Sequence, residues 1–332
     1  KGGGAVRGIG EKFAANPVTG TGSLSVPIAT SPGRSGFGPQ LSLSYDSGAG
    51  NGAFGLGWNL SHPSITRKTD KGLPQYDDAN ESDVFILSGA EDLVPVGIAA
   101  PDSTKSFSVQ GYRPRIEGLF ARIERWTNTQ GVSHWRSISK DNITTIYGRA
   151  EESCIVDPTA ATHIFSWLIC ESYDDKGNAI RYEHKKENSQ GIDTSSAHEA
   201  NRTDAFRTAN RYIKRIKYGN KIPRQPNENI ALRTDWMFEV VFDYGEHYTE
   251  NGLSTGDLSQ PTFVDIRDTQ RRWSVREDPF SSYRSGFEVR TYRLCQRVLM
   301  FHHFDELLEP NYLVRATHFQ YREGPSASFI SA

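Results

Sequence analysis

Residues 34–68 read RSGFGPQLSLSYDSGAGNGAFGLGWNLSHPSITRK, and this stretch decides the fold class. Its first part alternates apolar with polar residues, the period-two pattern of a half-buried strand, at Leu41, Leu43 and Tyr45. A glycine-rich segment follows and contains three large apolar residues, Phe54, Leu56 and Trp58. Glycine adopts positive φ and permits close backbone approach, while large apolar side chains give a turn something to bury. The stretch therefore predicts a strand followed by a tight, packed turn that includes Gly55, Gly57 and a buried Trp58.

A phosphate-binding loop is the alternative interpretation of the glycine-rich segment. The P-loop requires a Gly-Lys-Ser/Thr ending and a following helix, and the dinucleotide fingerprint also requires a helix after its glycines. Neither ending is present, and residues 58–63, WNLSHP, are a poor start for a helix. We therefore interpret the segment as a structural turn.

The composition of the 332-residue chain favours β-structure. Aromatic residues make up 11% of the chain and Met occurs only twice, which suits strands better than a helical bundle. Lys plus Arg (38) nearly balances Asp plus Glu (40), which argues against a nucleic-acid or anionic-membrane binder. No apolar run approaches the ~18 residues of a membrane span, so we expect no direct membrane insertion. The three cysteines are far apart and predict buried free thiols rather than disulfides: Cys154, Cys170 and Cys295.

Period-two segments recur along the chain between turn signals. The longest one predicts a strand with an aromatic face that must be covered: Trp236, Phe238, Val240, Phe242 and Tyr244. Residues 287–304 carry large side chains on both faces, as expected for a strand in the middle of a sheet. Residues 197–210 have room for a short helix. We predict an all-β fold of large, mostly antiparallel, curved sheets with long loops and little helix.

Residues 162–187, THIFSWLICESYDDKGNAIRYEHKKE, form the clearest hairpin in the sequence. One face of the outgoing strand is predicted to carry Phe165, Trp167, Ile169 and Tyr173. The turn DDKGN contains Gly177 and Asn178, two residue types that tolerate positive φ. This hairpin resembles one unit of an RHS/YD repeat, and the matching residues are Tyr173, Asp174, Gly177, Asn178 and Tyr182.

Longer motifs resemble the N-terminal domain of one bacterial toxin family. They are GFGPQLSLSYDSGAGNGAFGLGWNLS (36–61), RYIKRIKYGN (211–220), FEVVFDYGEH (238–247) and REDPFSSYRSGFEVRTYRLCQRVLMFHHF (276–304). The chain thus resembles the Salmonella virulence plasmid B family, whose domain also opens the B component of the insecticidal Tc toxin complexes. We expect residues 1–33 to form an irregular glycine-rich arm with an edge strand. Residues 34–332 are then the all-β domain, an N-terminal fragment of a longer protein.

The resemblance implies a structural, non-catalytic role. In that family this region helps to build a hollow β-sheet shell with RHS repeats, and the shell encloses a toxic C-terminal segment and delivers it. The expected partners are the downstream RHS and propeller regions of the same protein, the C component and the pore-forming A component. We expect no cofactor, and secretion without a visible signal peptide. The alternative is a free-standing extracellular binding module for carbohydrate or a protein surface, since exposed Tyr and Trp residues would serve it. A weaker option is an enzyme whose catalytic residues are scattered along the sequence.

Sequence patterns give little support for catalysis or metal binding. His302 and His303 are neighbours on a predicted strand, so their side chains are expected on opposite faces. The pattern Gly-x-Ser-x-Gly occurs at residues 252–256, but in a predicted loop and not in the strand–turn–helix context that a nucleophile elbow requires. One branch of the family that this chain resembles has an actin-directed ADP-ribosyltransferase in a separate C-terminal domain. That activity needs a Glu-x-Glu pair, which this sequence lacks. We therefore expect no enzyme activity and no bound metal.

Two charged segments can each be interpreted either as an ordinary structural feature or as a binding site. Residues 76–83 are acidic enough to suggest a calcium site. They lack the central glycine and the terminal glutamate of an EF-hand loop, so we predict a solvated loop. Five arginines near the end of the chain suggest a nucleic-acid patch, but acidic residues lie among them. We predict ion pairing across strands for Arg276, Arg284, Arg290, Arg293 and Arg297.

Overall fold

The computed structural model describes residues 12–15, 22–88, 91–98, 106–116, 121–247, 272–307 and 311–331, and these contain 24 strands. The first twelve are β1 (Lys12–Ala15), β2 (Gly22–Ile28), β3 (Leu41–Asp46), β4 (Asn51–Gly52), β5 (Gly55–Leu56), β6 (Trp58–Leu60), β7 (Ser64–Arg67), β8 (Phe85–Leu87), β9 (Glu91–Ile98), β10 (Phe107–Pro114), β11 (Arg122–Asn128) and β12 (Ser133–Ile138). The others are β13 (Thr144–Tyr147), β14 (Cys154–Asp157), β15 (Ala160–Tyr173), β16 (Ala179–Lys186), β17 (Arg211–Asn220), β18 (Trp236–Asp243), β19 (Phe280–Ser282), β20 (Val289–Thr291), β21 (Arg297–His302), β22 (Tyr312–His318), β23 (Tyr321–Arg322) and β24 (Phe329–Ile330).

Helix is scarce in the described residues. Short 3-10 segments lie at Arg34–Gly36, Asp78–Asn80, Glu151–Ser153 and Ile230–Leu232. One α-helix, α1, spans Asp204–Arg207 and falls where the sequence predicts a short helix. Within the described parts of the chain, no helix is long and apolar enough to cross a membrane. The all-β fold class is confirmed.

Eight strands of the large sheet close on themselves. The sheet runs β13-β12-β11-β10-β9-β8-β7-β15-β16-β17-β18-β21-β22, and its pairs are antiparallel. β15 pairs with β7 through Trp167 and Ile65, and it also pairs with β13 through Tyr173 and Thr144. The strands β7–β13 and β15 therefore form a closed ring, an arrangement that leaves no free edge among them.

The interior of the closed ring is aromatic. Phe85 lies at its centre and contacts Tyr112, Trp135 and Trp167 edge-to-face, at centroid distances of 5.9, 5.0 and 5.7 Å. This geometry places the positive edge of one aromatic group against the negative face of another. Aliphatic side chains and Cys154 fill the remaining space: Ile65, Leu87, Leu93, Ile123, Ile164 and Ile169.

The other half of the molecule is a sandwich. A four-stranded sheet in the order β1-β2-β3-β6 packs on one face of β16, β17, β18 and β21, and we call these eight strands the sandwich. The small sheet contributes Ile28, Leu41, Leu43 and Leu60 to the shared core. The large sheet contributes Ile180, Ile216, Tyr218, Phe238, Val240, Phe242, Val298 and Met300.

The aromatic face of β18 is buried along its whole length, through Tyr244 beyond the strand end. The small sheet covers this face. β16, from the 162–187 hairpin, and β21, from residues 287–304, lie in the same sheet as β18 and so do not cover it. Trp236 packs separately, against Ala179 and Ile230.

Three local departures from the period-two pattern have structural causes. β2 lies between β1 and β3 and is not an edge strand, and Pro27 is tolerated because it lies beyond the residues that pair with β1. Phe165 is the extra residue of a bulge, since Ile155 pairs with Ser166 and Val156 with Ile164, so Ile164 rather than Phe165 joins the core. Residues 287–304 contain two strands, β20 and β21, rather than one.

Candidate functional site

The glycine-rich turn has two positions that only glycine fits. Gly55 and Gly57 have φ of +90° and +81°, in the left-handed region. A Cβ on Gly57 would lie 2.5 Å from Cε2 of Tyr45, and one on Gly55 would lie 2.7 Å from the carbonyl oxygen of Ser328. The backbone therefore approaches its neighbours too closely for any side chain at these positions.

The buried anchor of this turn is Phe54 and not Trp58. Phe54 is 4% exposed and contacts Phe242 and Phe319 edge-to-face, at centroid distances of 6.5 and 6.0 Å. Trp58 is half-buried and packs against Tyr45 at 5.2 Å. The expectation of a buried Trp58 is wrong because its strand, β6, lies at the edge of the small sheet, where one side remains in water.

The same turn holds distant parts of the chain together. Asn51 donates to Asp278 at 2.6 Å, and Arg276 donates to the carbonyl oxygen of Gly52 at 2.8 Å. Asp278 also accepts from Arg276 at 2.8 Å and from the hydroxyl of Ser328 at 2.6 Å. Burial alone would raise the pKa of Asp278, but the hydrogen bonds from Arg276, Ser328 and Asn51 lower it below its ordinary value. This ion pair ties the end of the described chain to its beginning.

The hairpin between β15 and β16 is closed by its own turn residues. Asp174 accepts from the backbone N–H of Asn178 at 2.8 Å and from its side-chain amide at 2.7 Å. Gly177 has φ of +82°, and a Cβ there would lie 2.8 Å from Pro223. Tyr173 lies beneath the guanidinium of Arg224, at 3.7 Å from the centroid. Four of the five residues that match the repeat therefore have local structural roles in the turn.

The acidic segment 76–83 seals one end of the closed ring. Arg67 is fully buried and binds Asp78 at 2.6 Å and Asp83 at 2.7 Å. Arg125, also buried, binds Glu81 at 3.2 Å, and Tyr112 donates to the same carboxylate at 3.0 Å. The prediction of a solvated loop is only partly correct. Asp77, Ala79, Asn80 and Glu81 are exposed, but the segment also supplies the acidic partners that the two arginines require at inward positions of β7 and β11. The missed signal is an arginine two residues after an inward isoleucine, as in Ile65 and Arg67.

The five arginines near the chain end have protein partners. Arg290 binds Glu199 at 2.8 Å, and Arg297 binds Asp243 at 2.8 Å. The others pair with Glu187 (Arg293), Asp278 (Arg276) and the hydroxyl of Thr69 (Arg284). Most of the acidic partners come from distant segments rather than from the interleaved residues. These contacts leave little of the cluster free for phosphate groups.

The described residues present no catalytic arrangement that we recognise. His302 contacts Ser31 at 2.7 Å and His303 contacts Glu239 at 3.0 Å, so the neighbouring imidazoles face different partners. Burial raises the pKa of the Cys154 thiol to about 12, which keeps it protonated and unreactive. No group of three or more His, Cys, Asp or Glu side chains in the described ranges is arranged to hold a metal. The absence of enzyme activity and of a bound metal stays a prediction.

Among the described strands, the path of the large sheet ends in an open edge at β22, and the short strand β14, which pairs only with β15, forms a side branch. Strand β22 pairs with β21 on one side only, and Val314 is an extra residue between the pairs Phe301–Leu313 and Met300–Arg315. Tyr312 and Val314 are 44% and 40% exposed. Bulges are common on edge strands, where they limit uncontrolled pairing.

Comparison with known families gives one extended match. The family described as Salmonella virulence plasmid 65kDa B protein matches residues 16–304. Among curated proteins, mono(ADP-ribosyl)transferase SpvB of Salmonella typhimurium (strain 14028s / SGSC 2262) is 36% identical over 331 residues, covering 94% of this chain and 53% of the relative. The chain thus spans about half the length of the curated relatives it matches.

Solved structures of two kinds share the fold. The N-terminal domain of effector protein SpvB from Salmonella typhimurium strain LT2 superposes with a TM-score of 0.78 at 35% identity, covering 93% of this chain and 96% of that domain. The Photorhabdus luminescens Tc holotoxin pore matches with a TM-score of 0.85 at 33% identity, covering 99% of this chain and 15% of that one. The TcdB2-TccC3 crystal structure matches with a TM-score of 0.83 at 34% identity, over 99% and 16%. The fold therefore occurs both as a separate domain and as a small part of a toxin-complex chain.

Proposed function

Because the chain belongs to the Salmonella virulence plasmid 65kDa B protein family, we propose that it is a non-catalytic structural domain of a secreted bacterial toxin complex. In this proposal the domain forms part of a hollow β-shell that encloses a toxic segment. The shell is continued by downstream RHS and propeller regions, and it works with a C component and a pore-forming A component. The matches to the Tc holotoxin pore and to TcdB2-TccC3 support this assignment.

The observation that carries the proposal is the asymmetry of the large sheet. At one end the sheet closes on itself, because β13 returns to β15. At the other end, β22 is available for another antiparallel strand. Because β13 is already paired with both β12 and β15, the described strand path from β13 to β22 can be extended only beyond β22, which suits a terminal part of a larger β-shell.

The proposal is tested by blocking the open edge. Lysine on an edge strand opposes further pairing, so Tyr312→Lys combined with Val314→Lys should prevent extension of the sheet. Both side chains are substantially exposed, and we expect the melting temperature of the domain to change little. In the full-length protein assembled with its C component, we expect the enclosed segment to become sensitive to added protease.

A matched control uses two exposed apolar residues far from this edge. Ile222 and Leu232 are 64% and 78% exposed in the connection between β17 and β18. Ile222→Lys with Leu232→Lys makes the same chemical change and should leave the enclosed segment protected. Full protection in the β22 variant would contradict the shell role. Binding of a carbohydrate or a protein surface by the isolated domain, with unchanged assembly, would favour the binding-module alternative.

A further inference from the structure

A crevice lies between the β14–β15 hairpin and the segment that contains α1. Its volume is about 610 Å³, within the range of about 300–1,000 Å³ typical of small-molecule sites. One wall comes from β14, the following turn and the start of β15, and the opposite wall comes from residues 205–211. Neither the glycine-rich turn nor the β22 edge takes part in it.

The walls of the crevice are mostly apolar. The hairpin contributes Val156, Pro158, Ala160, Ala161 and Ile164, and the α1 segment contributes Ala205 and Ala209. Cys154 also lines it, and because burial raises the pKa of its thiol to about 12, that side chain is neutral. The small residues leave space for an apolar chain without offering it hydrogen bonds.

Positive charge is concentrated at one end of the crevice. Arg211 and Lys186 both contact Oε1 of Glu151, at 3.3 and 3.2 Å. Two cations therefore share one carboxylate oxygen, and the Glu151 side chain is itself 65% exposed, so water weakens its contribution. The lining as a whole contains three cations, Arg149, Lys186 and Arg211, and two carboxylates, Glu151 and Asp157, so cations are in excess.

Arg211 is the buried member of this pair. Its side chain is 1% exposed, and its NH1 group donates to the carbonyl oxygens of Thr208, Ala209 and Asn210. Its Nε hydrogen has no acceptor among the described residues. A buried guanidinium with a spare donor and an exposed counter-ion, which it shares with a second cation, favours an additional anion.

We propose that this crevice binds a small amphipathic monoanion, a carboxylate at the end of an apolar chain. The carboxylate lies at the Arg211–Lys186 end and the chain lies along the alanine-rich walls. The proposed structural role assigns no ligand to the domain, so this site is independent of it. Charge complementarity selects the head of the ligand, and the apolar walls select its tail.

Calorimetric titration of the purified protein with decanoate tests the proposal. We expect saturable binding with one site. Decanol, which has the tail without the charge, and acetate, which has the charge without the tail, should each bind at least about tenfold more weakly. Equal binding of decanol would remove the role of the cations, and equal binding of acetate would indicate a simple anion site. Either result overturns the proposal.

Two neighbouring positions provide a matched pair of variants. Ala161 lines the crevice, whereas Thr162 is equally exposed but does not line it. Ala161→Trp should abolish decanoate binding, and Thr162→Trp should leave it unchanged, with both proteins retaining the parental melting temperature. Arg211→Met should weaken decanoate binding about tenfold without changing the affinity for decanol. If Ala161→Trp binds decanoate like the parent protein, the ligand lies elsewhere and the assignment fails.

Discussion

The closed ring and the sandwich bury their charged residues in different ways. The closed ring has two arginines at the inward positions of its strands, and the acidic segment 76–83 closes over them. The shared core of the sandwich is formed by apolar and aromatic side chains. Its ion pairs, such as Arg215–Glu239 and Arg297–Asp243, are made by β18 residues that alternate with the core positions and so lie on the opposite face of the large sheet.

The difference follows from how each half is covered. A sandwich covers an open sheet with a second sheet, and two apolar faces meet. A closed ring covers its interior along the sides but not at its ends, so an end must be sealed by a loop. Here the loop is held by charge, which places acidic side chains where sequence patterns alone indicate a solvated turn. Ions therefore determine the position of the loop in one half, and apolar packing determines the position of the small sheet in the other.

The largest effect is expected from breaking the ion network of the closed ring. Arg67→Met leaves Asp83, which is almost fully buried, without its cation, and removes one partner of Asp78. Truncating one member of a buried pair costs about 3–5 kcal/mol, and we expect the free energy of unfolding in urea to fall by the upper end of this range.

The control for Arg67 is an exposed ion pair. Lys221→Met removes the partner of Asp305, which is 93% exposed, and should cost less than about 1 kcal/mol. Equal losses in the two variants would mean that the seal contributes no more than a surface pair. In that case the contrast between the two halves would fail.

The next largest effect is expected from truncating Phe54, the buried anchor of the glycine-rich turn in the sandwich core. Phe54→Ala should lower the free energy of unfolding by about 3–4 kcal/mol, because the truncation leaves a cavity beside Phe242 and Phe319. Trp58→Ala should cost about 1–2 kcal/mol, since part of that side chain is already in water. The two variants are compared by chemical denaturation under identical conditions. If Trp58→Ala lowered the free energy of unfolding more than Phe54→Ala does, Trp58 would be the buried anchor, as the sequence suggests.

The sequence predicts a feature correctly when neighbouring residues determine it. It fails when the feature depends on a packing or ion-pair partner far away in the sequence. The strand pattern predicts β18 correctly because alternation is a property of the strand itself. It cannot identify the cover of β18, because Leu43 and Phe242 are far apart in the sequence and share a core only through the tertiary fold. The same limit hides the partners of Arg67 and Arg290. Ring closure is also hidden, since one long strand, β15, pairs with β7, β13, β14 and β16 at different positions.

A smaller effect is expected from the backbone of the glycine-rich turn. Gly57→Ala places a Cβ 2.5 Å from Tyr45 and also forces alanine into the left-handed region, so we expect a loss of about 2–3 kcal/mol in the free energy of unfolding. Gly36→Ala is the control, since its φ is +77° but no atom lies within 4 Å of the added Cβ. Its cost should be only the conformational part, about 1–2 kcal/mol. Identical melting temperatures for the two variants would mean that close packing against Tyr45 contributes nothing.

The smallest effect is a pH dependence that distinguishes the two halves. Burial, together with the nearby His62 and Arg211, lowers the pKa of His184 in the sandwich to about 3. The folded protein keeps this imidazole neutral, whereas the unfolded chain takes up a proton below about pH 6.5. Acidification therefore favours unfolding, and between pH 7 and pH 5 this one group should reduce the free energy of unfolding by about 2 kcal/mol.

Substitution of His184 by glutamine isolates this contribution. In His184→Gln, the decrease in the free energy of unfolding between pH 7 and pH 5 should be smaller by about 2 kcal/mol. This difference does not depend on how much the substitution destabilises the protein at pH 7. His134→Gln is the matched variant in the closed ring, because burial and the cations Arg149 and Arg136 lower the pKa of His134 to about 4. If the two halves unfold as one unit, each substitution flattens the pH dependence of a single transition. If they unfold separately, His184→Gln changes only the transition of the sandwich, and His134→Gln changes only that of the closed ring. A pH dependence unchanged in both variants would show that neither histidine is kept neutral by burial.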